Sequence, residues 1–294
     1  MYSSKNVLLV SPYPYSISSR GMDVLTKSFD DEGWNVTHLT FPKAFYTPKV
    51  TKPENSKVNT IEARNSIFPY IDRIMFWFPK LLFDIVKWFN NRTVKNIDFS
   101  QYDYIVLESG KALFLMDLIP ENVPIIYRLS DSVQLVLGKN KYYKELENII
   151  FERSFKMIFK KEVYKNFLND IEKNKTTVIE NGMVIPKEIH SGNTYPDGSI
   201  NAVYVGLHQL DFLTVSSLVR ECSNCDFHII GPCLSKKQVG KLEINKNFHY
   251  YPFLSKEEYM PLVKDATLAI FPFRRTESMK WFGLTSCDLG YISL

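Results

Sequence analysis

The sequence predicts an α/β protein made of two doubly wound, Rossmann-like domains. Short apolar runs alternate with amphipathic helical segments, many of the runs end at Gly, Pro or Ser, and a second series of runs starts near residue 200. Ligands of such sheets bind at the carboxyl ends of the strands. The residues that follow each apolar run are therefore the first candidates for function.

The length of 294 residues fits about two domains. A hydrophobic content of 45% and a charged content of 23% are typical of globular proteins. The net charge of +4 is too small to indicate nucleic-acid binding. The first apolar run, Val7–Val10, is too short for a secretory signal, and no run approaches a membrane span. A cytoplasmic location is predicted.

The first domain, predicted over residues 1–184, opens with a strand, a loop, a helix and a second strand. Asn6–Ser11 is a continuous apolar run, which predicts a buried strand. Gly21–Gly33 carries apolar residues at helical spacing, and Gly33 is typical of a helix C-terminus. Trp34–Phe41 alternates between apolar and polar residues and predicts the second strand.

The remaining elements are predicted from the same signals. Pro42–Glu62 is polar with three prolines, and an excursion from the sheet is expected there. The other predicted elements of the first domain are strands at Tyr102–Glu108, Pro124–Leu129, Phe155–Phe159 and Thr176–Glu180 and a helix at Lys141–Arg153. The second domain is predicted over residues 185–294. One of its predicted strands ends at Gly206, two lie near Phe227 and Phe248, and one spans Leu268–Phe271. Its predicted helices lie at Asp211–Glu221, near Lys236 and at Lys256–Lys264.

Cys222 and Cys225 have the spacing found in zinc and redox motifs. No second pair has ligand spacing, and Cys225 directly precedes a predicted strand, so a structural role is favoured. His228 lies within that strand and is expected to pack rather than to bind a metal.

The segment Ile67–Phe89 is rich in aromatic and aliphatic residues but is interrupted by charges, so it is not expected to span a membrane. Four of its charged residues fall at helical spacing and would line one stripe of a helix: Arg73, Lys80, Asp84 and Lys87. A wide apolar face with Trp and Lys at its margins predicts a helix that lies in a membrane interface, and the alternative is a helix buried in the domain core. The candidate membrane or acceptor residues are Phe76, Trp77, Phe78, Lys80, Lys87 and Trp88.

The chain has two Rossmann-like halves with a basic cluster in the second. In this it resembles the glycosyltransferases of GT-B fold, in particular the GumK-type glucuronosyltransferases of bacterial exopolysaccharide and capsule synthesis. Five segments carry the resemblance: Leu8–Gly33, Tyr127–Ser132, Val203–Gly206 with Phe212, Lys256–Phe273 and Ser278–Lys280. The resemblance implies transfer of a sugar, glucuronic acid among them, from a UDP-sugar to a lipid-linked or polysaccharide acceptor. It also implies inversion at the anomeric carbon and peripheral binding to the inner face of the cell membrane.

The resemblance assigns Asp131 as the catalytic base, which would take the proton from the acceptor hydroxyl. Its position after a predicted strand suits that role, and the alternative is an N-cap of the next helix. For donor binding the candidates are Gly206, Arg274, Arg275, Glu277, Ser278, Met279 and Lys280. Lys280 would hold the diphosphate, and the two arginines would hold the diphosphate or a uronic carboxylate. Solvated surface positions are the alternative for these three cations.

Two sequence motifs of other glycosyltransferases are absent, which narrows the predicted type of reaction. No Asp-x-Asp sequence occurs, so a metal-chelating transferase site is not expected. The retaining GT-B enzymes typically carry two Glu residues separated by seven others, whereas Glu277 is followed at that spacing by Thr285. No metal or other cofactor is predicted. A retaining hexosyltransferase remains the alternative within the same class.

The sequence after Lys280 departs from the family pattern. Only 14 residues follow, and Gly283 and Gly290 do not suit a helix interior. A truncated second domain is predicted, which leaves a non-catalytic remnant as the alternative from a different functional class.

Overall fold

The computed structural model describes residues 5–16, 20–43, 56–64, 80–130, 141–160, 168, 170–179, 194–206 and 210–273. The chain divides into two compact units, Met1–Gly182 and Met183–Leu294. Each unit is built around a parallel sheet with helices between successive strands. This is the predicted α/β, Rossmann-like organisation.

The sheet of the first unit has seven parallel strands within the described residues. These are β1 (Asn6–Ser11), β2 (Asn35–Lys43), β3 (Asn59–Arg64), β4 (Tyr104–Glu108), β5 (Ile125–Leu129), β6 (Lys156–Phe159) and β7 (Thr176–Val178). Their order is β3-β2-β1-β4-β5-β6-β7. The order reverses between β1 and β4, so the topological switch point of this doubly wound sheet lies at the carboxyl ends of these two strands.

Helices pack on the sheet through the faces that the sequence pattern predicts. They are α1 (Gly21–Asp31), α2 (Lys80–Arg92), α3 (Lys141–Arg153) and the short α4 (Asp170–Asn174), with 3-10 turns at Phe99–Gln101 and Lys111–Asp117. Met22 of α1 is buried in one cluster with Val7 and Leu9 of β1 and Val36 of β2. The apolar stripe of α1 therefore fixes the helix over the first two strands.

The expected polar excursion at Pro42–Glu62 contains parts of two strands. Strand β2 continues to Lys43, and β3 begins at Asn59. Strand β3 lies at the edge of the described sheet and pairs only with β2. Most of its residues are exposed or half-buried, so it lacks the apolar run that marks the central strands.

The second unit has four parallel strands within the described residues, in the order β10-β9-β8-β11. They are β8 (Ile200–Val205), β9 (Cys225–Ile230), β10 (Phe248–Tyr251) and β11 (Leu268–Ala269). The helices are α5 (Phe212–Glu221), α6 (Lys236–Leu242) and α7 (Lys256–Lys264). Capping boxes begin α6, through Ser235 and Gln238, and α7, through Ser255 and Glu258.

Cys225, Cys233 and His228 have structural roles in the second unit. Cys225 and Cys233 are buried free thiols, and Cys225 packs in the core beneath α5. The Nε2 atom of His228 lies 3.1 Å from Oδ1 of Asn201. Burial lowers the pKa of His228 to about 4, so the ring is neutral near pH 7. His228 therefore packs within the sheet, as predicted.

Candidate functional site

Polar side chains converge at the switch point of the first unit, although strands β1 and β4 are otherwise apolar. Ser11 ends β1 and Glu108 ends β4. The Ser11 hydroxyl donates a hydrogen bond of 2.6 Å to Oε2 of Glu108. The two strand ends are thus joined at the edge where ligands of doubly wound sheets bind.

Arg128 of β5 completes this cluster. Its Nη1 atom lies 3.0 Å from Oε1 of Glu108, and the side chains are only 7% and 13% exposed. Burial raises the pKa of Glu108, and attraction to Arg128 and the bond from Ser11 offset only part of that rise. Apolar residues of similar volume are often more stabilising than a buried ion pair. This pair is therefore a candidate for function.

Gly21, the first residue of α1, leaves space for the Arg128 guanidinium group. The backbone of Gly21 does not have a positive φ, so nothing in its conformation requires glycine. A Cβ at this position would overlap with the Nη2 atom of Arg128. The missing side chain therefore makes room for the ion pair, at a helix position where alanine has the higher intrinsic propensity.

Residues 12–16, which follow β1, are tied by hydrogen bonds to the end of that strand and to α1. The Tyr13 backbone N–H donates a 3.3 Å hydrogen bond to the Ser11 hydroxyl. Asp23 is buried and accepts hydrogen bonds from the Ser16 backbone N–H and from Arg20. Arg20 also donates to the Pro14 carbonyl. The loop is therefore anchored to α1 by charge-assisted hydrogen bonds.

The ends of β4 and β5 are tied together as well. The hydroxyl oxygens of Ser109 and Ser130 lie 2.9 Å apart, and the Arg128 carbonyl accepts hydrogen bonds from the backbone N–H groups of both serines. Asp131, the predicted catalytic base, is the next residue in the chain and lies outside the described residues.

In the second unit, the carboxyl edge of the sheet is formed by glycines. Gly206 follows β8, and Gly231, with a φ of +113°, follows β9. A Cβ on Gly231 would overlap with the Gly206 carbonyl, so the two backbones approach as closely as only glycine permits. Gly206 is half-buried and Gly231 is buried, so the two strand ends pack backbone against backbone.

Aromatic residues flank the two glycines. The Gly231 backbone N–H donates to the carbonyl of Tyr251, the last residue of β10, and Phe253 follows two residues later. Phe253 is 80% exposed. On the other side, Phe271 follows β11, which pairs with β8, and its ring is partly exposed. The edge combines closely packed glycine backbone with two aromatic rings.

Of the predicted donor residues, only Gly206 lies among the described residues. Arg274, Arg275, Glu277, Ser278, Met279 and Lys280 fall outside them, as do Phe76, Trp77 and Phe78 of the predicted membrane segment. The sequence analysis did not identify Glu108 or Arg128. Their signal was present, because Arg128 interrupts the apolar run PIIYRL and Glu108 closes the run YDYIVLE.

Helix α2 contains the described part of the predicted membrane segment and is apolar on two opposite faces. Phe83 and Val86 are buried, and the Phe83 ring contacts the rings of Phe114 and Tyr143. The opposite face leaves four large residues exposed: Leu81, Ile85, Trp88 and Phe89. No helix in the described part of the chain is long and apolar enough to cross a membrane.

The charged residues of α2 differ in part from the expectation. Lys80 is exposed and pairs with Asp84 at 2.7 Å. Lys87 was expected at the edge of the apolar surface, but its side chain is only 16% exposed and pairs with Asp117. Arg92 instead lies 4.8 Å from the centre of the Trp88 ring and is the cation at that end of the exposed face.

Among the residues that the structure describes, no group of three or more His, Cys, Asp or Glu side chains is placed to hold a metal ion. The free thiols of Cys222, Cys225 and Cys233 therefore do not combine with His228 into a zinc site.

Comparison with known proteins finds similarity in structure alone. No protein-family model and no curated protein matches the sequence. LpCGTa, solved in complex with UDP, matches with a TM-score of 0.52 at 11% identity, over 90% of this chain and 74% of that chain. Alr3699/HepE from Anabaena, solved with UDP and glucose, matches with a TM-score of 0.51 at 14% identity, over 90% and 73% of the two chains. The UDP-GlcNAc 2-epimerase from Methanocaldococcus jannaschii matches with a TM-score of 0.51 at 12% identity, over 91% and 78%.

These matches place the chain in the GT-B fold class of α/β proteins, which confirms the fold predicted from the sequence. At identities of 11–14% they establish the fold only, since one fold supports several chemistries.

The role of Gly21 leads to a paired test of stability. Gly21→Ala is expected to lower the free energy of unfolding by roughly 1–3 kcal/mol, because the added methyl group must displace a buried, paired guanidinium. Gly240→Ala in α6 is the matched control, since a Cβ there meets nothing within 4 Å. That control is expected to raise stability by up to about 1 kcal/mol through helix propensity. Urea unfolding of both variants measures the difference, and stabilisation by both substitutions would show that Arg128 does not require glycine.

Proposed function

We propose that this chain is a glycosyltransferase that moves a sugar from a UDP-sugar to an acceptor hydroxyl group. The observation that carries the proposal is the carboxyl edge of the second sheet, where close-packed glycine backbone lies beside exposed aromatic rings. It is supported by the fold shared with proteins solved in complex with UDP. A UDP-sugar epimerase of the same fold would need no acceptor, so acceptor-dependent release of UDP separates the two activities.

The reaction requires a change of charge at two groups, the acceptor hydroxyl and the leaving diphosphate. The acceptor hydroxyl must lose a proton, and the departing diphosphate must be stabilised. We assign the first task to Asp131, which directly follows the hydrogen-bonded end of β5. For the second we assign Lys280 with Arg274 and Arg275, on the strength of the family resemblance. One base on the face opposite the leaving group gives inversion, and the same resemblance favours glucuronic acid as the sugar and a lipid-linked acceptor of exopolysaccharide or capsule synthesis.

The described residues support a specific mode of UDP binding. The backbone N–H groups of Gly206 and Gly231 already donate to strand carbonyls, so these glycines serve to bring the two strand ends together. The diphosphate is therefore assigned to the basic residues named above. Phe253 presents an exposed ring two residues beyond the strand end that is hydrogen-bonded to Gly231. Because every nucleobase has an apolar π-face, we propose that the uracil base stacks on Phe253.

The donor site is tested by calorimetric titration with UDP and with ADP. The unmodified chain is expected to prefer UDP. Phe253→Ala should weaken UDP binding by roughly 5- to 150-fold, the range that corresponds to losing one base–aromatic stack of about 1–3 kcal/mol, and Phe253→Tyr should retain it.

Ile244→Ala serves as the control, because Ile244 is as exposed as Phe253 and lies in the turn after α6, away from the carboxyl edge. Equal UDP affinity of Phe253→Ala and Ile244→Ala would remove Phe253 from the site. The absence of any preference for UDP over ADP would count against a uridine nucleotide as the donor.

The assignment of Asp131 is tested by kinetics. Asp131→Asn should reduce turnover by roughly 10²–10⁴-fold through loss of the general base, while UDP affinity stays within a factor of about two. Asp31→Asn, an exposed carboxylate at the end of α1 that pairs with Lys27, is the control and should be fully active. A parallel loss of unfolding stability and of turnover in Asp131→Asn would point to a helix cap instead.

We also propose that the exposed face of α2 docks on an anionic membrane surface. Leu81, Ile85, Trp88 and Phe89 form one apolar surface, because they recur at helical spacing. Lys80 and Arg92 lie at its two ends, and the aromatic and basic composition is typical of an interfacial helix. A lipid-linked acceptor would be met at such a surface.

Sedimentation with vesicles of phosphatidylcholine and phosphatidylglycerol tests the membrane proposal. The chain is expected to sediment with the vesicles, and Leu81→Ser with Trp88→Ser should reduce binding by at least about tenfold by removing apolar area. Added salt should weaken binding because the basic residues are screened. Leu213→Ser with Ile244→Ser is the matched control, since these apolar residues are at least as exposed but lie in the second unit. Equal loss in both double variants would contradict docking through α2.

A further inference from the structure

An exposed aromatic ring lies at the switch point of the first sheet. Tyr13 is 54% exposed and lies two residues after Ser11, the last residue of β1. The Arg20 guanidinium carbon lies 4.9 Å from the centre of its ring. Arg20 is itself fixed by Asp23 and by the Pro14 carbonyl. Arg20 therefore covers one face of the ring and holds it in place, while more than half of the side chain stays exposed. A fixed and exposed ring is the arrangement of a binding platform rather than of a core residue.

One hydroxyl group links this ring to the buried carboxylate. The Ser11 hydroxyl accepts a hydrogen bond from the Tyr13 backbone N–H and donates one to Glu108. A carboxylate offers about four acceptor positions. Glu108 accepts from Ser11, Arg128 and Ser130, so capacity for a further donor remains. Its side chain is 13% exposed despite these contacts.

Resting on the proposed transferase function, we propose that Tyr13 and Glu108 form a subsite for a neutral sugar residue of the acceptor. The C–H face of a pyranose would stack on the Tyr13 ring, and a sugar hydroxyl would donate a hydrogen bond to Glu108. A sugar combines an apolar face with peripheral hydroxyl donors, and this subsite combines an apolar ring with a fixed acceptor.

The charges around the subsite favour a neutral ligand. Glu108 is balanced by Arg128, and Asp23 by Arg20. The two cations described at this subsite are thus already paired with carboxylates, and neither is available to compensate a uronate carboxylate that loses its hydration beside Glu108. The subsite therefore selects a neutral hexose over a hexuronate.

Saturation-transfer NMR with methyl glycosides tests this subsite directly. The unmodified chain is expected to bind a methyl hexoside weakly, as suits a ligand of few atoms, and to bind methyl glucuronide at least about fivefold more weakly. Tyr13→Ala should weaken hexoside binding by roughly tenfold because the sugar loses its apolar contact. Tyr13→Phe should retain binding, since stacking requires the ring and not the hydroxyl.

Phe155→Ala is the matched control. Phe155 is also 54% exposed and lies in the first unit, but it precedes β6 and so belongs to the opposite edge of the sheet. Glu108→Gln gives a second readout, because removal of the negative charge should reduce the discrimination against methyl glucuronide. Circular dichroism of each variant establishes that it is folded, and the Tyr13 variants stay decisive if Glu108→Gln unfolds.

Each outcome bears on the subsite. No hexoside binding by the unmodified chain, equal binding by Tyr13→Ala, or tighter binding of the glucuronide would overturn it. UDP titration of the same samples separates this inference from the proposed function. UDP binding without a Tyr13 effect overturns the subsite alone, whereas Tyr13-dependent sugar binding without UDP binding sustains the subsite and contradicts the transferase.

Discussion

The buried ion pair between Glu108 and Arg128 is the contact on which the organisation of the first unit depends. It joins the carboxyl ends of β4 and β5 in register, and through Ser11 it joins β1 as well. It also explains Gly21, because the first residue of α1 must leave room for the guanidinium. Removing either charge alone would leave the other buried and uncompensated, so the four elements are coupled through one interaction.

The carboxyl edges of the two sheets have different chemical characters. The first edge carries a carboxylate, a guanidinium and hydroxyl groups whose hydrogen bonds fix their positions. The second carries glycine backbone flanked by exposed phenylalanines. We propose that the first edge serves the acceptor hydroxyl and that the second serves the nucleobase of the donor. This chemical difference between the two edges supports the proposed sugar transfer.

Helix α2 shows how one helix can serve both the core and a surface. Its buried residues contact Phe114 of the 3-10 turn and Tyr143 of α3, which fixes the helix on the first unit. Its opposite face is equally apolar but uncovered. The sequence alone offered a choice between a core helix and an interfacial helix. The structure shows that one face is buried and the other exposed, because residues three and four positions apart share a face.

The sequence by itself determined the fold class, since apolar runs and helical spacing depend only on which residues must be buried, and it determined the glycine at the carboxyl end of β8. It did not determine β3, which is largely polar because it pairs with only one strand at the edge of the described sheet. It also did not determine the 3-10 turn at Lys111–Asp117, because the five consecutive buried residues of that turn show no helical period. It also did not determine that Glu108, Arg128 and Gly21 meet, because they are separated by as many as 107 positions, and only strand order places them side by side. Periodicity records whether a residue is buried, whereas a site depends on which distant residues are buried together, and that is decided by tertiary packing.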